Sequence, residues 1–461
     1  MSFLNNQFIS KNMLLITGDV LIACASVYAG ALLRLFYVYP AEFYKYSPLM
    51  PKAIIFSSFI VIIYFFMDLY DVERNDGKKE IFLKIISANF LAMLADGAFY
   101  YFVPYTQLGR GILFLSFCFT VLFSSVWHIS YILFVKLPII ARRILILGTG
   151  PIAKTMGNLL LQGNNGLALA GYVNCAGEQI HVPRDYIIGK GEELLEVAIK
   201  EKVQKIVVSL TERRGTFPVR EVLNCKLQGI DIIDGLSFYE QITGKLLIES
   251  MNPSHLIFSD GFRITVVRRY FKRIFDMVFA LMGIILSLPF LIIIPVLIKL
   301  ESKGPVLFRQ KRVGEGEKYF TLYKFRTMVD GAEKNTGPVW SQAGDSRVTK
   351  IGKFLRKTRL DEIPQLFNVV VGEMSFVGPR PERPFFVESL KKQIPYYSER
   401  HCIKPGLTGW AQVKYEYGDS IEDAIEKLRY DLYYIKYQSF SLDLLIVLDT
   451  IKVILFGKGG R

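Results

Sequence analysis

Paired cysteines and clustered histidines are what this chain of 461 residues lacks. Its five cysteines (Cys24, Cys118, Cys175, Cys225, Cys402) and four histidines (His128, His181, His255, His401) are scattered without a shared spacing. That excludes a zinc site built from sequence neighbours and a disulfide framework, and it suits a reducing compartment. Charge is scarce as well: 21% of residues are charged, against 51% hydrophobic and 14% aromatic, with mean hydropathy +0.30. The charge present is one-sided, 56 Lys and Arg against 42 Asp and Glu, a formal net charge of +14. A basic excess on an apolar chain points to an anionic membrane surface, an anionic substrate or both. Nucleic acid is set aside as a partner, because no recognition motif accompanies the charge.

Long apolar runs, by contrast, are plentiful. Four lie at about 13–37, 52–70, 81–104 and 111–136, each near the roughly 20 residues that a bilayer-crossing helix needs. The first starts too far from a short charged leader, and lacks a cleavage site, to read as a removable signal. In the third, Lys84, Asn89 and Asp96 interrupt the run and are expected to face other helices. Arg74, Lys78 and Lys79 in one loop, with Arg142 and Arg143 after the fourth run, outweigh Lys45, Lys52 and Arg110 in the other two. The positive-inside rule then predicts that the N-terminus and everything beyond residue 140 are cytoplasmic. Residues 1–138 are accordingly read as a four-helix transmembrane region.

Residues 139–262 read as a Rossmann-like cytoplasmic α/β domain. The β-rich run RRILILG leads into a glycine turn and a helix, and Gly148, Gly150 and Ala153 match G-x-G-x-x-G/A. Gly148 and Gly150 are therefore candidate cofactor-binding residues. Where a ribose-binding acid belongs, however, the chain has Asn174 and Cys175, with Glu178 only later. The preferred reading is that these glycines permit a tight turn and close helix packing.

Residues 263–461 begin with Arg268, Arg269, Lys272 and Arg273, then an apolar run at about 274–299, then Lys299 and Lys303. A spanning helix would leave one basic cluster outside, and Pro289 near the middle kinks a helix. A re-entrant helix that enters, bends and returns satisfies both; an ordinary fifth span is the alternative. Cations then become dense. Between Thr349 and Arg359 the spacing predicts an amphipathic helix with Ile351, Phe354 and Leu355 inward and Lys350, Lys353 and Lys357 at the lipid surface.

Asp361-Glu362 breaks that pattern. Asp361 can cap the following helix, with Pro364 in its first turn. Capping leaves unexplained a second acid among Arg359, Arg380 and Arg383, and the rigid Pro379-Arg380-Pro381 that aims one guanidinium fork. Two carboxylates, a helix start and several arginines describe a magnesium–pyrophosphate site, with Asp361 and Glu362 as candidate metal ligands.

The segments Lys324-Phe325-Arg326-Thr327-Met328, Asp361-Glu362-Ile363-Pro364-Gln365-Leu366, Gly378-Pro379-Arg380-Pro381 and Pro405-Gly406-Leu407-Thr408-Gly409-Trp410 stand in order along this region. In them the chain resembles the bacterial sugar transferases of the polyprenyl-phosphate hexose-1-phosphate transferase family. It is most similar to the long members with four extra membrane helices and a Rossmann-like middle domain. The resemblance implies a mainly α monotopic catalytic domain on a re-entrant helix, at the bacterial inner membrane and facing the cytoplasm. It implies transfer of a hexose-1-phosphate from a UDP-hexose to undecaprenyl phosphate with Mg²⁺. Asp361 would be the nucleophile and Glu362 its partner; Lys324, Arg326, Arg359, Arg380 and Arg383 would bind substrate. A homodimer through the middle domain is likewise implied. The family often has aspartate at the position of Glu373.

Two rival readings keep the middle domain or the assembly in charge. A membrane-anchored NAD(P)-dependent dehydratase or epimerase needs Tyr-x-x-x-Lys on a helix, and the match here, Tyr186 to Lys190, contains Gly189 and comes too soon after the glycine turn. A non-enzymatic polysaccharide-assembly scaffold would have no use for Asp361-Glu362. In the last apolar run, Asp443, Asp449 and Lys452 predict an interfacial or packing helix rather than a span.

Overall fold

Residues 3–36, 48–67, 69–70, 78–135, 142–162, 166–210, 217–251, 253, 256, 261–262, 265–332, 347–415, 418 and 420–456 are described by a computed structural model. Lys45, Arg74 and His255 lie outside them. The chain forms two compact units, Met1–Phe238 and Tyr239–Arg461.

The first unit opens with four helices, α1 (Phe3–Ala31), α2 (Leu49–Phe66), α3 (Lys78–Phe102) and α4 (Arg110–Val135). Each holds a stretch long and apolar enough to cross a membrane. Their shared core mixes small residues, Ala23, Ala31, Ala53, Ala88 and Ala92, with Phe56, Ile60, Tyr64 and Ile85, so backbones approach closely where no hydrophobic drive exists between helices in lipid. Polar residues that interrupt the apolar runs turn inward. Asp19 on α1 meets His128 on α4 at 2.9 Å and accepts from Ser124, while Asn89 on α3 donates to Tyr64 on α2 at 2.6 Å. Asp96 is also fully buried. Lys84 reaches Glu80, one turn back on its own helix, at 3.4 Å.

The same unit continues as a parallel α/β sheet: β1 (Arg142–Leu147), α5 (Pro151–Gln162), β2 (Leu167–Asn174), β3 (Ile187–Lys190), α6 (Leu194–Lys200), β4 (Lys205–Val208), α7 (Val219–Leu227) and β5 (Asp231–Asp234). Strand order is β3-β2-β1-β4-β5, every pair parallel. The first strand is central and later strands add on both sides, as in doubly wound sheets. Ile144 to Leu147 have no exposed surface, as a strand covered on both faces requires.

The second unit is organised on one long helix, α8 (Val266–Glu301), whose start is capped by Thr265 accepting from the Arg268 amide. After it come a hairpin of β6 (Leu307–Val313) and β7 (Tyr319–Phe325), helices α9 (Lys350–Thr358) and α10 (Gln365–Val371), strand β8 (Ser375–Val377), α11 (Pro384–Gln393), β9 (Gly406–Thr408), α12 (Ile421–Tyr437) and α13 (Phe440–Phe456). Pro289 and Pro295 both lie inside α8. Before Pro289, Ala280 packs with Phe320, Leu322, Leu366 and Val369; beyond it, Ile294 and, after Pro295, Ile298 pack with Phe325 and Leu355. The other face leaves Ile285, Leu286, Ile292 and Ile293 exposed. In α13, Asp443 is buried and accepts from Tyr434 at 2.6 Å, with Lys272 at 3.2 Å, which makes this a packing helix.

Two local expectations need correction. Thr349 caps α9 and Leu355 points inward, but Phe354 is 60% exposed. Asp361 does not cap α10: Pro364 holds that position and no side chain caps it.

Candidate active site

The paired acids sit on a single tight turn, Leu360–Glu362, between α9 and α10. Arg359 makes the turn possible by adopting the left-handed region at φ 57°, a conformation uncommon outside glycine and a sign of a conformation held by its surroundings. Both carboxylates are buried, Asp361 at 8% and Glu362 at 9% exposure. Burying two acids side by side requires compensation, and it comes from cations on other elements.

Lys324, near the end of β7, places its Nζ 2.8 Å from Glu362 Oε1 and 4.0 Å from Asp361 Oδ2. Arg380, just after β8, donates from Nη2 to the same Glu362 oxygen at 2.7 Å. Burial opposes a charge on Glu362, but Arg380, Lys324 and Arg359 overcome it and hold the carboxyl well below its ordinary range. Asp361 goes the other way. Burial, reinforced by the Glu362 charge, raises its carboxyl against the pull of Lys324, Arg380 and Arg356. Geometry separates the two acids as well: Lys324 and Arg380 both meet Glu362, whereas Lys324 stands farther from Asp361.

Supporting bonds fix each contributor. Asn368 on α10 accepts from the Tyr323 amide and donates to the Thr321 carbonyl and to Glu373, which ties β7, and with it Lys324, to the helix after the acids. Gly378 and Gly406 pack backbone to backbone, and an added Cβ on Gly406 would lie 2.1 Å from the Gly378 amide. Their closeness lets β8 pair with β9 and brings the Gly-Pro-Arg-Pro and Pro-Gly-Leu-Thr-Gly segments together.

Other candidates have further contacts. Arg326 donates to the Lys303 carbonyl and to both oxygens of Ser302, at 3.0, 2.8 and 2.9 Å. These bonds tie it to the backbone just past the end of α8. Arg383 stands at the start of α11 with its guanidinium 5.8 Å from the Phe386 ring centre. Arg356, one of many cations in the sequence, acts on Asp361 and donates to Thr327 at 2.9 Å; its spacing five residues before Asp361 is the one signal the sequence offers for it.

A profile of the family described as bacterial sugar transferase matches residues 267–457. UDP-N-acetylgalactosamine-undecaprenyl-phosphate N-acetylgalactosaminephosphotransferase of Aeromonas hydrophila is 42% identical over 242 residues, 52% of this chain and 56% of that protein. The exopolysaccharide production protein PSS of Rhizobium leguminosarum bv. phaseoli is 39% identical over 188 residues, 39% of this chain and 92% of that protein. The chain belongs to the bacterial sugar transferase family. A third member, UDP-glucose:undecaprenyl-phosphate glucose-1-phosphate transferase of Escherichia coli (strain K12), is 39% identical over 206 residues, 44% of each chain. The chain thus spans about half the length of the Aeromonas relative and less of the Escherichia one.

The family profile begins beyond the glycine turn of the sheet, and local geometry there favours packing. Gly148 has φ +125°, and a Cβ on it would lie 2.9 Å from the Ser209 carbonyl oxygen. The Thr149 amide, which a phosphate would seek, donates to the chain's own Glu178 at 2.8 Å. Gly150 opens α5 and needs no positive φ. Tyr186 precedes strand β3 and Lys190 ends it, so the two do not share a helix and the dehydratase or epimerase arrangement is not formed.

Proposed function

We propose that this transferase moves a sugar-1-phosphate from a UDP-sugar to undecaprenyl phosphate through a covalent intermediate on Asp361. The observation that carries the reading is the buried turn where Asp361 lies beside Glu362, which is paired with Lys324 and Arg380. An Asp361 oxygen attacks the β-phosphorus of the donor. The bond to the bridging oxygen breaks, and UMP leaves with its electron pair. An oxygen of undecaprenyl phosphate then attacks the same phosphorus, the Asp361–phosphorus bond breaks, and the carboxylate is regenerated. A carboxylate needs no base to become a nucleophile at neutral pH; its difficulty is approaching a pyrophosphate. Lys324, Arg359 and Arg380 reduce that repulsion without being consumed.

Magnesium fits this site in a limited way. Among the described residues no group of three His, Cys, Asp or Glu could hold a metal, but Mg²⁺ commonly takes one or two carboxylates plus substrate phosphates. Asp361 and Glu362 would be those carboxylates, and the ion would neutralise charge on the transferring phosphoryl group. The relatives' names differ in the sugar, N-acetylgalactosamine in one and glucose in another, so the assay uses both donors.

The packing of α8 supports the re-entrant reading. Residues before and after its prolines meet the same unit, which a helix leaving the far side of a bilayer could not do. The exposed apolar face would lie in the cytoplasmic leaflet of the inner membrane, with the acids at its surface where both substrates arrive. Labelling of residues beyond 300 from outside the cell would refute it. For the reaction, membranes with Mg²⁺, undecaprenyl phosphate and UDP-glucose or UDP-N-acetylgalactosamine should release UMP. Release of UDP would indicate ordinary glycosyl transfer, and no nucleotide product would favour a scaffold.

A further inference from the structure

Arg380 stands between two prolines, so its backbone cannot be fixed by the usual amide ladder. The surrounding carbonyls are nevertheless all held. Pro379 accepts from the Gly406 amide at 2.8 Å and Glu382 from the Val313 amide at 3.0 Å. The two carbonyls between them are held by arginine side chains: Arg380 by Arg400 Nη2 and Pro381 by Arg312 Nη1, each at 3.0 Å.

Arg400 spends both Nη2 donors on the protein. Its Nη2 also donates to Asp431 at 2.7 Å, and its Nη1 donates to Tyr397 at 2.7 Å. Arg400, Asp431 and Tyr397 are 7%, 2% and 3% exposed. Arg312 is also largely covered, its side chain 17% exposed. The side chain of Arg380 is 34% exposed and ends on Glu362. Force on the loop therefore passes from α12, which carries Asp431, through Arg400 to the Arg380 carbonyl, and out along its side chain to the acidic turn.

We propose that Arg400, braced by Asp431, and Arg312 are positioning residues that act through Arg380 rather than by touching substrate. The proposal rests on the transfer reading only in assigning Arg380 to the donor's phosphates. Both cations are in this view backbone clamps. A bidentate guanidinium must be aimed within a fraction of an ångström, and loss of an outer partner commonly costs about 10–100-fold in activity.

A double-mutant cycle tests it on the full-length protein in nanodiscs. Wild type, Arg400→Lys, Arg380→Ala and the double variant are compared for kcat/KM of UMP release, with thermal unfolding as a folding check. Arg400→Lys should lose about 10–100-fold in the wild-type background and less than about threefold when Arg380 is already alanine, because a clamp has nothing left to aim. Equal losses in both backgrounds, or full activity of Arg400→Lys, would overturn the proposal. If Arg400→Lys does not fold, Arg312→Lys takes its place in the cycle, with the same loss expected and the same two results overturning the proposal. The cycle is repeated on inorganic pyrophosphate affinity by calorimetry, which needs no turnover. Coupling there without UMP release keeps the positioning role and overturns the transfer reading alone; additive losses there overturn the positioning role.

Discussion

Lys324→Met and Glu362→Gln should move the acid limb of the first half-reaction in opposite directions. Asp361 must be ionised to attack, so activity is present above its pKa and lost as pH falls through it. Its carboxyl is raised by burial, then lowered by Lys324 and raised by Glu362; the wild-type limb therefore lies above the ordinary carboxylate range. Removing Lys324 carries the limb further up, and neutralising Glu362 carries it down. Lys324 Nζ is 4.0 Å from Asp361 Oδ2, and unit charges at about that distance interact by about 4 kcal/mol at an effective dielectric of about 20. With the lysine side chain 19% exposed, solvent removes part of this. Half would leave the rate at a fixed pH on the limb about thirtyfold below wild type. The assay is single-turnover UMP release without undecaprenyl phosphate, so that titration of the acceptor does not enter. The position of the limb is read rather than its height, because both substitutions also disturb donor binding. Shifts in the same direction, or none, would refute the assignment of the limb to Asp361.

Other regions give further expectations. His128→Leu leaves Asp19 buried without its partner at 2.9 Å, and should cost about 3–5 kcal/mol, seen as a lower unfolding temperature in detergent; Asp19→Asn added to it should restore part of the loss, and unchanged stability of the single variant would remove the pair's role. Arg326→Met removes the donors to Ser302 and Lys303 at the end of α8 and should lower stability while leaving the KM for the UDP-sugar within about twofold of wild type, since lost packing rather than lost binding is the usual cost of such a change. A large rise in KM with unchanged stability would return Arg326 to the substrate site.

Features set by local pattern are legible in the sequence. Run length and composition mark the four N-terminal helices, and the glycine turn between a β-rich run and a helix marks the α/β domain, whose sheet is parallel. Asp361, Glu362, Lys324 and Arg380 stand out because their motifs are short and rigid, and the fold brings them together. What stays hidden depends on distant partners. That Arg326 holds Ser302 and Lys303 cannot be read from local pattern, because they are more than twenty residues back. Arg400 is invisible as a clamp for the same reason, its acid being Asp431. Phe354 departs from expectation for a simpler geometric cause. With Ile351 and Leu355 one turn apart on the inner face, its neighbour is rotated about 100° away, and it is exposed.

The central claim is that Asp361 carries the sugar phosphate. Purified protein incubated with Mg²⁺ and UDP-sugar, but without undecaprenyl phosphate, is digested at low pH and examined by mass spectrometry. The expected result is a sugar-phosphate adduct on the peptide containing Asp361, formed with about one UMP per active chain, discharged when undecaprenyl phosphate is added, and absent in a folded Asp361→Asn variant. An adduct on another residue, or sustained transfer by Asp361→Asn, would contradict it.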